Sequence, residues 1–300
     1  MQSLDALNRY AIPEHLFFRF GPGGQIFADI RNRSASASVF LQGAHLTAFQ
    51  PRSQYDPLIW LSEKSRFAVG KSIRGGIPVC WPWFGPHPDN PQLPAHGFAR
   101  THLWIVSESS SSDTSTRIIL TLEPNEETRT QWPHETPVSL EIVVSETLEM
   151  HLTTHNAGSE SVVLGEALHT YFLVGDIQSV YLEGLDGCDY LDKTAGFARQ
   201  HQEGKLTFTG ETDRIYVNSP SDCVIHDPRM HRRIRISKKQ ADSTVVWTPW
   251  ADKAAAMGDY TPEGWRQMLC VESANAAENT LQLSSGQTHT LSVCYSAEPL

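Results

Sequence analysis

SLEIVVSETLEMHLTTHN, residues 139–156, repeats with a period of two. Leu140, Ile142 and Val144 fall on one face of an extended segment, and Leu148, Met150 and Leu152 do the same on a second. Successive side chains of a strand point to opposite faces, so the alternation predicts two strands, each with one dry face and one wet face. The texture continues upstream, where HLWIVSES, SSSSDTS and TRIILTLEP read as a hairpin with Ser109–Ser115 as its loop, preceded by SASVFLQ and QGAHLTAFQ. Downstream, VVLGEALHTYFLV, SVYLEGL, CVIHD, HRRIRIS, STVVWTPW, RQMLCVES and THTLSVCYS are further strand candidates. Long amphipathic helical repeats are nearly absent, and DKAAAMG supports a turn or two at most. Strands without intervening helices cannot build βαβ units. The expected fold is therefore all-β: one large antiparallel β-sandwich domain over residues 1–300, with 1–20 as a peripheral segment carrying a short helix.

Composition narrows the partners. Of the 300 residues 40% are hydrophobic and 19% charged, as in globular proteins, and the formal net charge is −10. A long-range field of that sign repels nucleic acid and anionic membranes, although a local basic pocket for a small anion is compatible with it. No apolar run reaches the roughly 18 residues of a membrane span, and the N-terminus has no basic start followed by a long apolar run. The five cysteines are widely spaced with no CxxC pair, which suggests reduced thiols in a cytoplasmic protein rather than a disulfide framework or a zinc site.

The stretch Lys71–Arg100, KSIRGGIPVCWPWFGPHPDNPQLPAHGFAR, departs from this β texture. It is crowded with glycine, proline and aromatics and carries Arg74, His96 and Arg100. Two arginines and a histidine in turn-forming sequence suggest a pocket for a polar, anionic ligand; the plainer reading is a rigid loop with its arginines in water. His169 lies in the apolar run GEALHTYFLVGD, where a histidine is either a hydrogen-bonded core residue or a catalyst. Glu272 ends the apolar run QMLCVE, and full burial there without a partner would be costly. It either faces solvent or lines a pocket as a carboxylate of raised pKa. Asp213 and Arg214 in ETDRIYVN are a third candidate, with a surface salt bridge as the alternative. HRRIR, residues 231–235, reads as the wet face of an edge strand. Neither GxGxxG, a P-loop, a GxSxG elbow nor HxH or HExxH spacing is present, so the residues suggest no cofactor and no metal.

Taken in order, IRGGIPVCWPWFGP, LPAHGFAR, ALHTYF, TDRIY and CVESAN resemble the hexose-6-phosphate mutarotases, also called glucose-6-phosphate 1-epimerases, of the wider aldose 1-epimerase family. The similarity runs from about Gln42 to the C-terminus. It implies a large β-sandwich of the galactose mutarotase-like type, with a sugar site on the concave face of one sheet and no catalytic metal or organic cofactor. By the same resemblance His169 is the general acid and Glu272 the general base. His96 and Asp213 contact sugar hydroxyls, Arg74 and Arg100 hold the phosphate, and Gln42 is a weaker candidate for a substrate hydrogen bond. The implied partner is a small hexose 6-phosphate, bound by a monomer. Trp81, Trp83, Trp247 and Trp250 could wall the pocket or fill core. Two other readings stand beside this one: an epimerase of neutral aldoses, and a carbohydrate-binding β-sandwich that turns nothing over.

Overall fold

In the computed structural model, which describes residues 2–300, the alternation at 139–156 forms the paired strands Val138–Val144 and Leu148–His155. Their residues are alternately buried and half-buried, as the period of two requires. They lie within a nine-stranded antiparallel sheet. Its order is Leu206–Thr207, Tyr181–Glu183, Cys223–Asp227, Arg232–Lys239, Thr288–Pro299, Leu148–His155, Val138–Val144, Thr116–Leu122 and Ile105–Ser111. HRRIR is therefore no edge strand: Arg232–Lys239 is interior, between Cys223–Asp227 and Thr288–Pro299. Arg232 is buried because its guanidinium donates to the carbonyls of Asp56, Pro57 and Leu173.

A second sheet packs on this backing sheet. Its strands run Ala198–His201, Asp189–Asp192, Thr212–Tyr216, Ser243–Thr248, Met268–Asn275, Glu166–Leu168 and Val79–Cys80, with Tyr171–Leu173 also on Met268–Asn275. Ser243–Thr248 and Met268–Asn275 are buried at every position, so neither face of their part of the sheet is wet. Most of the space between the sheets is apolar, and Phe172 meets Tyr295 edge-on at 5.2 Å. Buried polar pairs also cross it. Thr170 Oγ1 bonds Tyr295 Oη at 2.6 Å, Lys238 Nζ donates to Thr244 Oγ1 at 2.7 Å, Glu166 Oε1 lies 2.9 Å from His289 Nε2, and Trp81 Nε1 donates to Thr154 Oγ1 at 3.0 Å.

The N-terminal segment is more integrated than its sequence suggests. A short helix, Leu4–Leu7, is followed by Leu16–Phe20, which pairs with Ile26–Arg31 at the edge of a four-stranded sheet completed by Ala35–Phe40 and His45–Pro51. The strand Ile105–Ser111 runs past Ser109, so the hairpin loop is shorter than expected. DKAAAMG belongs to Trp250–Met257, a helix of eight residues. Among the described residues no helix is long and apolar enough to cross a membrane, and all five cysteines are free.

Candidate active site

Strand register brings His169 and Glu272 together. Leu168 is paired with Ser273 and Tyr171 with Cys270. Counting inward from both pairs puts His169 opposite Glu272, and cross-strand neighbours share a face. The side chains meet, His169 Nε2 lying 3.2 Å from Glu272 Oε1. The same logic extends the site sideways, because Asp213 pairs with Trp247, Trp247 with Cys270, and Cys270 with Tyr171. Glu272 is thus in the middle of an eight-residue strand, not at its end. It is 1% exposed, with Oε2 free of any hydrogen bond.

Burial dominates the electrostatics of this pair. It pushes Glu272 well above the usual carboxylate range, an effect opposed by Lys193 and Arg100 and reinforced by Asp213. It pushes His169 well below the usual imidazole range, aided by His96 and by the charges of Arg100 and Arg74. Both shifts favour the uncharged forms, a protonated carboxyl beside a neutral imidazole.

The glycine-rich stretch supplies the rest. Gly76 has φ = 70°, and a Cβ there would lie 2.5 Å from the buried His45 Nε2, so the turn after Arg74 needs glycine. His96 takes the left-handed region at φ = 66°. Gly97 follows it closely against Trp81, where a Cβ would come within 2.0 Å of the Trp81 carbonyl oxygen. His96 Nδ1 accepts from the Gly85 amide, which leaves Nε2 as the protonated nitrogen of the neutral ring. Burial, with help from Arg100 and Lys193, lowers its pKa to about 3, so His96 is a neutral donor at ordinary pH. Its ring centre is 6.0 Å from that of His169.

The two arginines differ. Arg74 Nε donates to Asp259 Oδ2 at 3.0 Å and Nη1 to Tyr171 Oη at 2.8 Å, so a carboxylate already balances its charge. Arg100 donates only to the Ala95 carbonyl and has no acidic partner within ion-pair distance among the described residues. Asp213 does not pair with Arg214. It meets Lys193 Nζ at 2.9 Å, while Arg214 lies 4.0 Å from Asp192.

Gln42 stands apart from this group. Its amide donates to the Ala68 and Lys71 carbonyls and accepts from the Gly70 amide, so it clamps the loop leading to Arg74 rather than facing His169. Trp81 and Trp83 are buried, their indoles bonded to Thr154 and the Pro94 carbonyl. Trp250 packs on Trp265, with ring centres 4.8 Å apart. Only Trp247 touches the site, edge-on to His169 at 6.1 Å. Sequence reasoning missed Tyr171, Asp259 and Lys193. Tyr171 carried a signal, standing two residues from His169 as alternation requires of a same-face neighbour. Asp259 and Lys193 carried none, since their partners are distant in the chain. Among the described residues no three His, Cys, Asp or Glu side chains cluster in a way that could hold a metal.

A sequence model of the family described as aldose 1-epimerase matches residues 28–296. A protein of Escherichia coli (strain K12) named "Putative glucose-6-phosphate 1-epimerase" is 38% identical over 245 residues, spanning 81% of this chain and 80% of that one. A protein of the same name from Cenchrus ciliaris is 33% identical over 277 residues, spanning 89% and 83%. The crystal structure of a "putative mutarotase (YeaD)" from Salmonella typhimurium superposes with a TM-score of 0.90 at 31% identity, covering 96% of this chain and 95% of that one.

Proposed function

We propose that this chain, which belongs to the aldose 1-epimerase family, interconverts the α and β anomers of hexose 6-phosphates by proton transfer between His169, Glu272 and the sugar. The observation that carries the reading is the buried His169–Glu272 contact with an unbalanced guanidinium, Arg100, acting on both groups. Ring opening removes the proton of the C1 hydroxyl, forms the C1 carbonyl, breaks the C1–O5 bond and delivers a proton to O5. An acid and a base in contact suit this exchange: one group gives, the other takes, and their total is unchanged. In the family assignment Glu272 takes and His169 gives. The open aldehyde turns about C1–C2, and the reverse transfers close the ring on its other face.

A bound phosphate would act on both groups. The charges of Arg100 and Arg74 hold the imidazolium down, after burial and His96. A dianion laid against them offsets that repulsion, and by screening Arg100 from Glu272 it raises the carboxyl as well, whereas Arg74 acts on His169 alone. The neutral donor His96 and the Asp213–Lys193 pair suit sugar hydroxyls, and the printed names of the relatives point to the same substrate.

One observation favours epimerisation of neutral aldoses instead: Arg74 is balanced by Asp259, which leaves Arg100 to carry phosphate selectivity. The deciding experiment compares kcat/KM for glucose and glucose 6-phosphate. A charge-assisted anchor should favour the phosphate by about ten- to a hundredfold. Arg100→Ala should erase most of that preference and Arg74→Ala less of it. Equal values for the two sugars in the unaltered protein would remove the phosphate and leave the neutral-aldose reading.

A further inference from the structure

An acid–base histidine usually has its ring fixed by a hydrogen bond at the nitrogen that does not react. His169 has none from another residue: Nε2 meets Glu272, while the buried Nδ1 has at most its own main chain to bond to. These contacts constrain the imidazole plane only loosely, and the packing around the ring must do the rest. The candidates are the rings around it. Trp247 and His96 touch it edge-on, at interplanar angles of 79° and 69°. Tyr171 lies along it face to face, with ring centres 4.9 Å apart and planes within 11°.

Tyr171 is itself held at several points. Its amide donates to the Gly76 carbonyl, and its own carbonyl accepts from the Trp60 amide. Its hydroxyl accepts from Arg74 Nη1, and Arg74 is tied to Asp259. Near-parallel rings continue from it: Trp60 at 5.9 Å and 19°, then Tyr260 on Trp60 at 5.3 Å and 23°. The Arg74 guanidinium lies over Tyr260 at 5.6 Å and so braces the series twice. Trp60 and Tyr260 are 6% and 4% exposed, so these rings are packed from all sides.

We infer that Tyr171 is a positioning residue for His169, its ring fixing the imidazole plane and being fixed in turn by Trp60 and by the Arg74–Asp259 pair. Arg74 then acts on the acid through Tyr171, whatever it also contributes to an anion. This inference rests on the reading of His169 as the acid, but the orientation it describes exists in the free protein and can be measured there.

The test combines NMR with kinetics. In the unaltered protein, the His169 ring protons, identified by their loss in His169→Asn, should be displaced upfield by the stacked phenol. Tyr171→Leu should abolish the displacement. It should also lower kcat for anomer exchange by about thirtyfold or more while KM moves by less than about threefold, because misplacing a reacting group costs turnover before binding. Tyr171→Phe keeps the ring and its stack on Trp60 but loses the Arg74 contact, so it should retain the displacement with a kcat between those of the unaltered and Tyr171→Leu proteins. Absence of the displacement in the unaltered protein overturns the inference, whether or not Tyr171→Leu folds. So does a folded Tyr171→Leu protein with undiminished kcat. A Tyr171→Phe protein as slow as Tyr171→Leu also overturns it, since the hydroxyl rather than the ring would then be at work. Failure of the functional reading looks different: the displacement persists in a protein that accelerates anomer exchange of no sugar.

Discussion

The two large sheets obey different rules. In the backing sheet Leu148–His155 alternates between buried and half-buried, with Glu149 at a half-buried position, as is Glu141 with its partner Arg117 on the strands beside it. The charges this sheet does bury, such as Arg232 and Lys238, have hydrogen-bond partners. In the site sheet Met268–Asn275 is buried at all eight positions, and a carboxylate sits among them. A buried carboxylate lacking a full set of partners destabilises a sheet, so its presence there needs a reason other than packing. One sheet is built to be stable, and the other carries groups that stability alone would reject.

Exchanging the same chemical group in both sheets should break or sharpen that contrast. Glu272→Gln should leave the fold intact and cut turnover by about a hundredfold or more, whereas Glu141→Gln should leave turnover unchanged. A folded Glu272→Gln protein with near-normal turnover would sink the acid–base assignment. Next in size is a cavity in the backing sheet. Leu152→Ala, at a fully buried position, should cost about 2–5 kcal/mol in denaturant unfolding, with kcat and KM of the folded fraction unchanged. A large change in KM would mean that the sheets are less separate than proposed.

The smallest effect concerns pH. Burial raises Glu272 above its ordinary value of 4.5, so from there upward the unfolded chain ionises it more readily than the folded one. Its contribution to stability is therefore full below that pH and is lost as pH rises toward the folded value. Glu272→Gln should gain stability relative to the unaltered protein as pH goes from 5 to 8, and unfolding curves at both ends check the sign. A gain confined to acid pH would mean that Glu272 is ionised in the folded protein.

The same contrast explains what could be read from the sequence. Alternation is visible where one face meets water, so 139–156 was legible residue by residue and the hairpin before it in outline, its loop being shorter than expected. Where both faces are dry the pattern vanishes, and MLCVES showed only that Glu272 was out of place. Alternation also assigns a face without assigning a neighbour. Arg232 therefore looked like an edge residue although its strand is interior, and nothing near Asp213 in the sequence pointed to its partner Lys193. The His169–Glu272 contact became derivable only once Leu168–Ser273 and Tyr171–Cys270 were known to be in register.

Thr170 sits between His169 and the ring stacked on it, and its hydroxyl is bonded through the core to Tyr295 of the backing sheet. With Lys238–Thr244, Glu166–His289 and Trp81–Thr154, it works as a dowel between two plates. Sliding one plate over the other would strand several polar groups in an apolar interior at once, at about 1–3 kcal/mol each. The sandwich therefore resists shear, and the aim of His169 is set by the stiffness of the whole block as well as by its immediate neighbours.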